Sequence, residues 1–479
     1  MSSLENLLSK WIAPLKDAMP PLYLVGGAVR DHFLSRQIKD IDLACDNPKK
    51  TAAILAKYHK AAIVHLGRGK KAVCHRVVNR QNTDDFLDVV ELRNGSIEND
   101  LQMRDFTVNA IAIQITKQGK LGRVIDPLAG MDDLKHNSIR FTGPDVFKSD
   151  PLRTLRAFRF AAELQFTIEE STIRSIRENC ILLAEISAER ILAELLHLFK
   201  TNLAASNVRT MDELGLLEVI FPEIRTMKRC LQNEFHHLDV WSHSLAVLET
   251  CETITADLKT YFPDSSRPME ENLREDDRLP IMKLAALLHD VGKPSKKMAP
   301  GESHVINFHD HDREGGKIAS DIAKRLKMSG RNREFFQTMV AEHMHILYLS
   351  RPDVKEKTIL KWFRKLNDDI IPLIIIEMAD SMSTRGPASK KSEREAHLAW
   401  SKKTVMEYYS EIKTKLERKN VISGNDLISL GMKPGPELGR ALEKIREAQD
   451  TGLILDRNAG LAMAEKLVKE RGSHSDTES

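Results

Sequence analysis

Two glycines near the N-terminus stand where a protein backbone could hold a triphosphate. Gly26 and Gly27 follow a short apolar run and precede a predicted helix. Glycines at such a turn let the main chain approach phosphate oxygens, which accept hydrogen bonds from N–H groups at the helix N-terminus. Arg30, in the first predicted helical turn, can add a further phosphate contact.

Two acidic residues follow ten positions after Arg30, in a run that predicts a β-strand. Asp40 and Asp42 flank Ile41, and side chains at i and i+2 of a strand point to the same side. Carboxylates held this close repel each other unless cations lie between them, as in two-metal phosphoryl transfer. Asp88, in the strand-like run FLDVVEL, is a candidate third ligand. The alternative is a solvated pair on an edge strand beside an ordinary turn.

Histidines and aspartates in the second half form another candidate site. The doublet His289-Asp290 ends a predicted helix, and the Gly-Lys-Pro that follows can bend the chain so that both side chains reach one point. Imidazole and carboxylate together suit a divalent first-row metal ion. A lone histidine on an apolar helix is usually a packed core residue, so the doublet carries the argument. The other members of this candidate set are His243, His311, His343 and Asp380.

The elements that must position these residues predict an α+β fold, with a small head built on a mixed β-sheet followed by an elongated all-α neck, body and tail. Within residues 1–140, helical patterns at 29–33 and 49–58 interrupt short strand-like runs. From Pro151 onward apolar residues recur with a period of 3.6, which predicts helices. The predicted strands are 23–25, 38–44, 61–66, 86–92 and 110–115.

Breaks in the pattern suggest where one part of the chain ends and the next begins. We expect the polar segment 261–280 to be a mobile surface excursion. The predicted parts are a head at 1–140, a neck at 141–235, a body at 236–400, a tail at 401–470 and a disordered end at 471–479.

Composition argues against a disulfide-stabilised secreted protein and against a membrane-spanning one, and leaves nucleic-acid binding open. With 72 Lys plus Arg against 69 Asp plus Glu among 479 residues, the net charge of +3 neither requires nor excludes a nucleic-acid partner. The five cysteines are scattered without a CxxC pair, which favours a reducing compartment. No signal peptide is recognisable, and no apolar run approaches the roughly 18 residues that span a membrane. We therefore expect a cytoplasmic protein; its oligomeric state is not indicated.

The segment GGAVRD followed by DID resembles the signature of the class II tRNA nucleotidyltransferase and bacterial poly(A) polymerase superfamily. The resemblance implies Mg²⁺ at Asp40 and Asp42, ATP and CTP as substrates, and the tRNA 3′ end as acceptor. NDLQMRDFTVNAIAI resembles the ribose-recognition motif of this family, which implies that Arg104 and Asp105 contact the sugar hydroxyls. SAERILAELLHLF also fits the family pattern, with a bracing role implied for its charged residues.

SDPLRTLRAFRFAAELQF resembles the family's base-selecting segment, and adds Arg156 and Arg159 to the expected nucleotide-binding residues. Asp150 and Arg153 are three apart and should share one face of the first helical turns. A carboxylate can accept from an exocyclic amino group while a guanidinium donates to the adjacent ring acceptor. Cytosine and adenine satisfy that pair, whereas guanine and uracil present a carbonyl oxygen to the carboxylate. The alternative is a surface ion pair worth a few tenths of a kcal/mol.

The histidine set resembles the HD phosphohydrolase superfamily. The resemblance implies that a divalent transition metal or Mg²⁺ binds His243, His289, Asp290 and Asp380, with His311 and His343 as auxiliary residues. The implied reaction is hydrolysis of 2′-phosphate or 2′,3′-cyclic phosphate ends of RNA. The alternative is a degenerate HD fold that serves only as a scaffold.

The tail segment VISGNDLISLGMKPGPELGRALEKIREAQDTGLI resembles the closing segment of HD-containing bacterial tRNA nucleotidyltransferases. Its Pro-Gly-Pro should start a new helix. Basic residues there could contact tRNA phosphates, or could belong to a solvated helix face.

The predicted function is therefore template-independent addition of C and A nucleotides to the 3′ end of tRNA, with release of pyrophosphate and a second, HD-type hydrolase activity. Within the same fold, the alternatives are an enzyme adding only CC or only A, or a poly(A) polymerase. Alternatives from other classes are an HD hydrolase whose head merely binds RNA, and a non-catalytic RNA-binding protein.

Overall fold

The fold of this chain is described by a computed structural model, which divides by its internal contacts into two units, Met1–Pro222 and Glu223–Ser479. No helix in the described part of the chain has the length and apolarity needed to cross a membrane. The structure describes residues 3–12, 15, 21–38, 40–66, 74–116, 120–298, 306–450 and 452–475.

The first unit contains a mixed seven-stranded sheet in its described residues, with the strand order β3-β4-β5-β2-β1-β6-β7. Strands β2 and β5 pair in parallel, and the remaining neighbours pair antiparallel. The strands are β1 Leu22–Val25, β2 Asp42–Cys45, β3 Ala62–Leu66, β4 Cys74–Val78, β5 Phe86–Glu91, β6 Ala112–Ile115 and β7 Leu121–Ile125, with the short pair β8 Ser138–Ile139 and β9 Thr167–Ile168 outside this sheet.

The mixed sheet confirms the predicted fold class, and two details differ from the prediction. Strands β4 and β7 were not predicted, because His75 and Arg76 in one and Arg123 in the other break the apolar pattern. Strand β2 begins at Asp42 and not at residue 38, so Asp40 lies before the strand. The buried Ile41 still takes part in the ladder, since its carbonyl accepts from the Asp88 N–H at 2.9 Å.

Helices of the first unit cover the sheet and continue into an all-helical segment. Both helical patterns predicted within the head are present, as α2 and α3. The helices are α1 Ser3–Ile12, α2 Gly27–Phe33, α3 Pro48–His59, α4 Ile97–Gln102, α5 Gly130–Lys135, α6 Val146–Ser149, α7 Arg153–Leu164, α8 Glu170–Asn179, α9 Ala188–Phe199, α10 Ala204–Glu213 and α11 Leu216–Ile220.

The second unit is helical throughout its described residues, apart from one isolated bridge between Met298 and Asn307. Two of its helices, α16 and α21, are apolar on nearly all faces and form its buried centre. Its helices are α12 Ile224–Met227, α13 Val240–Ala256, α14 Leu258–Tyr261, α15 Ser266–Arg274, α16 Arg278–Leu288, α17 Lys293–Lys296, α18 His311–Arg325, α19 Gly330–Leu349, α20 Glu356–Leu366, α21 Ile370–Ser383, α22 Lys391–Glu407, α23 Lys413–Glu417, α24 Gly424–Ser429, α25 Pro436–Asp450 and α26 Arg457–Ser475.

The expectation of a mobile excursion at residues 261–280 is wrong. Helix α15 lies there and buries Met269, Asn272 and Leu273, because a short amphipathic pattern within a polar stretch is enough to anchor a helix. The Pro-Gly-Pro sequence does start a helix, α25. Helix α26 continues to Ser475, past the predicted start of disorder at 471, and residues 476–479 lie outside the described residues.

Candidate functional sites

Parallel pairing of β2 and β5 brings two of the three predicted acidic residues side by side. Asp42 and Asp88 are Cα partners in this ladder. Asp40 is exposed and precedes the strand, so strand alternation does not position it as predicted, although its charge contributes to raising the pKa of Asp42. The three carboxylates therefore lie within electrostatic reach of one another at one place in the sheet.

Asp42 is the carboxylate of this group whose ionised form is disfavoured by its surroundings. Burial, followed by the charge of Asp88, raises the pKa of Asp42 to about 6 against the lowering effect of Arg104. Asp88 accepts two hydrogen bonds from Arg76, at 2.9 and 2.8 Å, and so already has a cation. A divalent ion bound by oxygen ligands would relieve the repulsion on Asp42, and this donor set fits Mg²⁺.

Gly26 allows the glycine turn to pass close to Asp42. Its φ of +73° lies in the left-handed region, and a Cβ there would stand 3.2 Å from Asp42 Oδ2 and 3.3 Å from an Arg104 guanidinium nitrogen. Any other residue would therefore be strained and crowded here. A Cβ added at Gly27 would meet only a guanidinium nitrogen of Arg30, at an ordinary contact distance of 3.6 Å. Arg30 donates to Asp31 and Asn109, so protein partners hold its guanidinium beside the glycine turn.

A cavity of about 330 Å³ opens beside Asp42 and contains most of the predicted nucleotide-binding residues. Gly26, Gly27, Arg30 and Arg159 are not among its lining residues. Six lining residues were not predicted as site residues, although one of them, Arg190, stands in a segment singled out as bracing. The cavity is lined by Val25, Asp42, Val90, Glu91, Arg93, Asp100, Arg104, Asp105, Asp150, Arg153, Arg156 and Arg190.

Asp105 serves as an anchor in the cavity wall. Its Oδ1 accepts from the Phe106 N–H and from Asn109, and its Oδ2 accepts two hydrogen bonds from Arg156, at 2.9 and 2.6 Å. Although burial would raise its pKa, the Arg156 charge and these hydrogen bonds hold the pKa of Asp105 below its usual value. The acceptor capacity of this carboxylate is thus used by protein donors. Arg104, in turn, donates two hydrogen bonds to Asp100 Oδ2, at 3.0 and 2.8 Å.

The base-selecting pair differs from the prediction in its local geometry. Asp150 does not lie in a helix with Arg153; it ends α6 in an extended conformation, because Pro151 follows it. Its carboxylate accepts from Arg190 at 2.8 Å and from the Leu152 N–H. Arg153 starts α7 and donates to the carbonyl oxygens of Met103 and Arg104. The structure therefore does not show the surface ion pair of the alternative interpretation, and both side chains line the cavity.

Glu194 on α9 braces the arginines of α7. It is buried, its Oε2 lies 2.6 Å from Arg159 Nε, and its Oε1 lies 3.5 Å from a guanidinium nitrogen of Arg156. Arg159 also pairs with Glu163, one turn away on the same helix. Arg159 is therefore a support for Arg156 and Glu194 and not a residue of the cavity.

The predicted histidine set meets at one buried place in the second unit. His289 and Asp290 follow α16, and both are at most 1% exposed. Asp290 Oδ2 lies 3.1 Å from His289 Nε2, and its Oδ1 lies 3.4 and 3.7 Å from the Nε2 atoms of His311 and His343. His243 Nε2 is 2.8 Å from Asp380 Oδ1. Six residues from five places in the sequence thus form one cluster.

Three of these imidazoles are fixed in one tautomer. The Nδ1 atoms of His289, His311 and His343 donate to the carbonyl oxygens three residues earlier, at 2.8 to 2.9 Å. Their buried Nε2 atoms face the Asp290 carboxylate and make no hydrogen bond of standard geometry with any described residue. Burial and the neighbouring charges of His289 and His311 lower the pKa of His343 to about 3, so its Nε2 carries a lone pair at neutral pH. Buried, oriented nitrogens around a carboxylate fit a divalent metal ion.

Two neighbours of the cluster were given no role in the sequence analysis. Lys293 Nζ lies 2.6 Å from Asp290 Oδ2, and it stands three residues after that aspartate in the Gly-Lys-Pro segment already noticed for its bend. His236 packs edge-on against His243 and can form a ligand group with His243 and Asp380. A cavity of about 580 Å³ adjoins the cluster and is lined in part by His236, Lys293, His311 and Asp380.

Three known domain families match the chain. Residues 22–140 match the Poly A polymerase head domain, residues 165–227 match the probable RNA- and SrmB-binding site of polymerase A, and residues 240–385 match the HD domain. The first two describe a nucleotidyltransferase with an RNA-binding segment, and the third describes the class to which the histidine cluster belongs.

Similarity to whole proteins extends over nearly the entire chain. It is 30% identical to an A-adding tRNA nucleotidyltransferase of Deinococcus radiodurans, over 95% of this chain and 98% of that protein. It is also 30% identical to a CC-adding tRNA nucleotidyltransferase of Thermus thermophilus, over 92% and 91%. The fold resembles the Thermotoga maritima CCA-adding enzyme complexed with tRNA, with a TM-score of 0.62, 22% identity and coverage of 98% and 94%. The chain belongs to the tRNA nucleotidyltransferase family.

Proposed function

We propose that the head adds C and A nucleotides, one at a time and without a nucleic-acid template, to the 3′ end of tRNA. The observation that carries this proposal is that Asp42, Arg104, Asp150 and Arg153 line one cavity. The acceptor's 3′ oxygen forms a bond to the α-phosphorus of CTP or ATP. The bond from that phosphorus to the bridging oxygen breaks, pyrophosphate leaves with the electron pair, and the hydroxyl proton is released.

Each part of the cavity has its own task in this proposal. Asp40 and Asp42, with Asp88, would hold Mg²⁺, which when bound supplies positive charge that favours ionisation of the hydroxyl and neutralises the triphosphate. The glycine turn at Gly26 lets the triphosphate come close to these carboxylates. Arg104 faces the ribose, while Asp105 fixes the direction of Arg156.

Asp150 and Arg153 would select the base. Asp150 accepts from the amino group of cytosine or adenine, and Arg153 donates to the neighbouring ring acceptor. Arg190 holds the Asp150 carboxylate in place through an ion pair at 2.8 Å. Guanine and uracil would place a carbonyl oxygen against Asp150 and are rejected by repulsion.

Incubation of a tRNA lacking its 3′ CCA with labelled CTP and ATP tests the proposal. We expect three added residues from the wild-type chain and none from Asp42→Asn. Asp132→Asn, a change of an exposed carboxylate on α5, is the matched control and should retain full activity. Because relatives that add only A or only CC match this chain over its length, one added A or two added C residues would assign it to those types. A long A tail would indicate a poly(A) polymerase.

The cavity of about 580 Å³ beside the histidine cluster is called the HD cavity from here on. We propose that it supports a second activity, the hydrolysis of 2′-phosphate or 2′,3′-cyclic phosphate ends of RNA. The observation that carries it is the set of oriented Nε2 atoms of His289, His311 and His343 that face the Asp290 carboxylate. His243, His289, Asp290 and Asp380 would hold a divalent transition metal or Mg²⁺, assisted by His311 and His343. The bound ion supplies positive charge that favours ionisation of water and attack on phosphorus.

Phosphate release from adenosine 2′-monophosphate and opening of 2′,3′-cyclic AMP test this activity, in metal-free buffer and with Mg²⁺, Mn²⁺, Co²⁺ or Ni²⁺ added. Asp290→Ala should abolish both reactions and leave nucleotide addition unchanged. Hydrolysis without nucleotide incorporation would favour a hydrolase with an RNA-binding head, and absence of hydrolysis with every ion would leave the HD domain as a scaffold. The five free cysteines agree with the reducing cytoplasm, where we propose that the enzyme works.

A further inference from the structure

One buried acid in the HD cavity is not used by the proposed metal site. Glu377 lies on α21, one turn before Asp380, and is 3% exposed. Every other residue of this helix from Ile370 to Ala379 is apolar and buried. A carboxyl group placed in such surroundings destabilises the fold unless a partner compensates for its lost hydration. Glu377 nevertheless lines the same cavity as Asp380, Lys293 and His311.

His397 on α22 is the partner of Glu377. Its Nε2 contacts the Glu377 carboxyl directly, and its Nδ1 lies 2.9 Å from the Ser350 hydroxyl. His397 is 5% exposed and also lines the cavity. The imidazole is therefore held at both nitrogens, which fixes the direction in which the Glu377 carboxyl points.

The surroundings of Glu377 favour retention of a proton. Burial, opposed by the hydrogen bond and charge of His397 and supported by the nearby negative charge of Asp380, raises the pKa of Glu377 above its usual value. A buried carboxyl of this kind beside a reaction cavity is suited to donate a proton. The Glu377 carboxyl both contacts His397 and lines the cavity, so it is placed where it can meet a bound substrate.

We propose that Glu377, positioned by His397, is the general acid that protonates the leaving oxygen during phosphate-ester hydrolysis in the HD cavity. The inference rests on the proposed HD activity. Water oxygen bonds to phosphorus, the bond from phosphorus to the ribose oxygen breaks, and the electron pair stays on that oxygen. The ribose oxygen takes the proton from Glu377, and the proton lost by the attacking water restores the carboxyl group.

The test compares two leaving groups with the full-length protein and saturating metal ion. Adenosine 2′-monophosphate releases an alkoxide that needs a proton, whereas p-nitrophenyl phosphate releases a phenolate that leaves without one. For Glu377→Gln we expect the rate on the nucleotide to fall on the order of 10²-fold, with little change on the nitrophenyl ester. His397→Gln, which leaves Glu377 in place, should show a smaller loss with the same selectivity.

The matched control is Glu395→Gln, an exposed carboxylate on the same helix as His397 that pairs with Lys391. It should leave both rates unchanged. Calorimetric titration with Mn²⁺ supplies a readout apart from catalysis, and we expect the same affinity for Glu377→Gln as for the wild type.

Three results would overturn the inference. An equal loss on both substrates would show that Glu377 only joins α21 to α22. Weakened Mn²⁺ binding by Glu377→Gln would place this residue in the metal site. If the wild-type chain hydrolyses neither substrate with any ion, the HD activity itself is absent and the assignment of Glu377 fails with it. Should Glu377→Gln not fold, the leaving-group comparison with His397→Gln decides.

Discussion

The head cavity and the HD cluster hold their charges in opposite ways. In the head, carboxylates are matched with arginines: Asp88 with Arg76, Asp100 with Arg104, Asp105 with Arg156 and Asp150 with Arg190. In the HD cluster, the Nε2 atoms of three imidazoles surround Asp290, and Lys293 is a nearby cation. The head thus provides a rigid, arginine-rich wall suited to a polyanionic nucleotide, whereas the HD cluster presents free donor atoms suited to a metal ion.

Asp42 is the exception in the head. No cation in the described part of the head pairs directly with it, and its pKa is raised to about 6. In the proposed function, Asp42 is therefore the carboxylate whose charge a bound cation would compensate. In the HD cluster, by comparison, the carbonyl contacts of three Nδ1 atoms fix the orientation of the imidazoles without any bound ion.

The largest expected effect is on nucleotide addition by Asp42→Asn. We expect the rate to fall on the order of 10³-fold or more, since the proposed role of Asp42 is to hold the ion that stabilises the transferring phosphate. Single-turnover incorporation of labelled CTP measures it. Retention of more than a tenth of the rate would assign the metal role to another residue.

The next effect concerns metal affinity in the other region. Asp290→Ala removes the carboxylate shared by three imidazoles, so binding of Mn²⁺ at the HD cluster should weaken by more than about 100-fold. Isothermal titration with the full chain measures this, and nucleotide addition serves as the control that should not change. Unaltered Mn²⁺ affinity would show that this cluster is structural.

A pH effect on stability should distinguish Asp42 from the paired acids. Its pKa of about 6 exceeds the usual value of about 3.9. The folded state therefore binds this proton more tightly than the unfolded state, and stability present at low pH is lost as pH rises through 6. Asp42→Asn without metal should raise the free energy of unfolding at pH 7 by at most about 3 kcal/mol, and by little near pH 4. Urea unfolding in EDTA at both pH values measures this; a variant less stable than the wild type at pH 7 contradicts it.

The smallest effect expected is on base choice. Asp150→Ala should relax the preference for CTP and ATP over UTP and GTP by about 10- to 100-fold, the worth of one good base contact. Arg190→Ala should act in the same direction but less, because it only orients Asp150. Competition between paired nucleotides measures both, and unchanged selectivity in Asp150→Ala would remove this residue from base choice.

Features set by local pattern could be predicted from the sequence. The strand containing Asp88, the helix after Gly27 and the mixed α+β class follow from apolar periodicity and glycine chemistry. The HD doublet could be found because its spacing from Gly-Lys-Pro is local. Each of these depends on residues within a few positions of one another.

Features set by tertiary pairing could not be predicted. Asp100 becomes visible as a partner only when helices pack, since a charged residue on a helix has the same local pattern whether or not it meets a partner. For Arg190 and Glu194 the family resemblance implied a bracing role, but not which residues they contact. Asp150 is extended and lies before α7, because Pro151 follows it. The three-residue spacing between Asp150 and Arg153 had suggested that both residues lie on one helix. Glu377 and His397 lie 20 residues apart on different helices, and no sequence pattern joins them.

The most direct test of the account is binding of Mn²⁺ to the head in the presence of a non-hydrolysable CTP analogue, followed by electron paramagnetic resonance. The Asp290→Ala background removes the HD signal, and Asp42→Asn is then added. We predict a nucleotide-dependent Mn²⁺ signal in Asp290→Ala that disappears in the double variant. The same signal with and without Asp42 would contradict the assignment of this carboxylate, and with it the proposed nucleotidyl-transfer site.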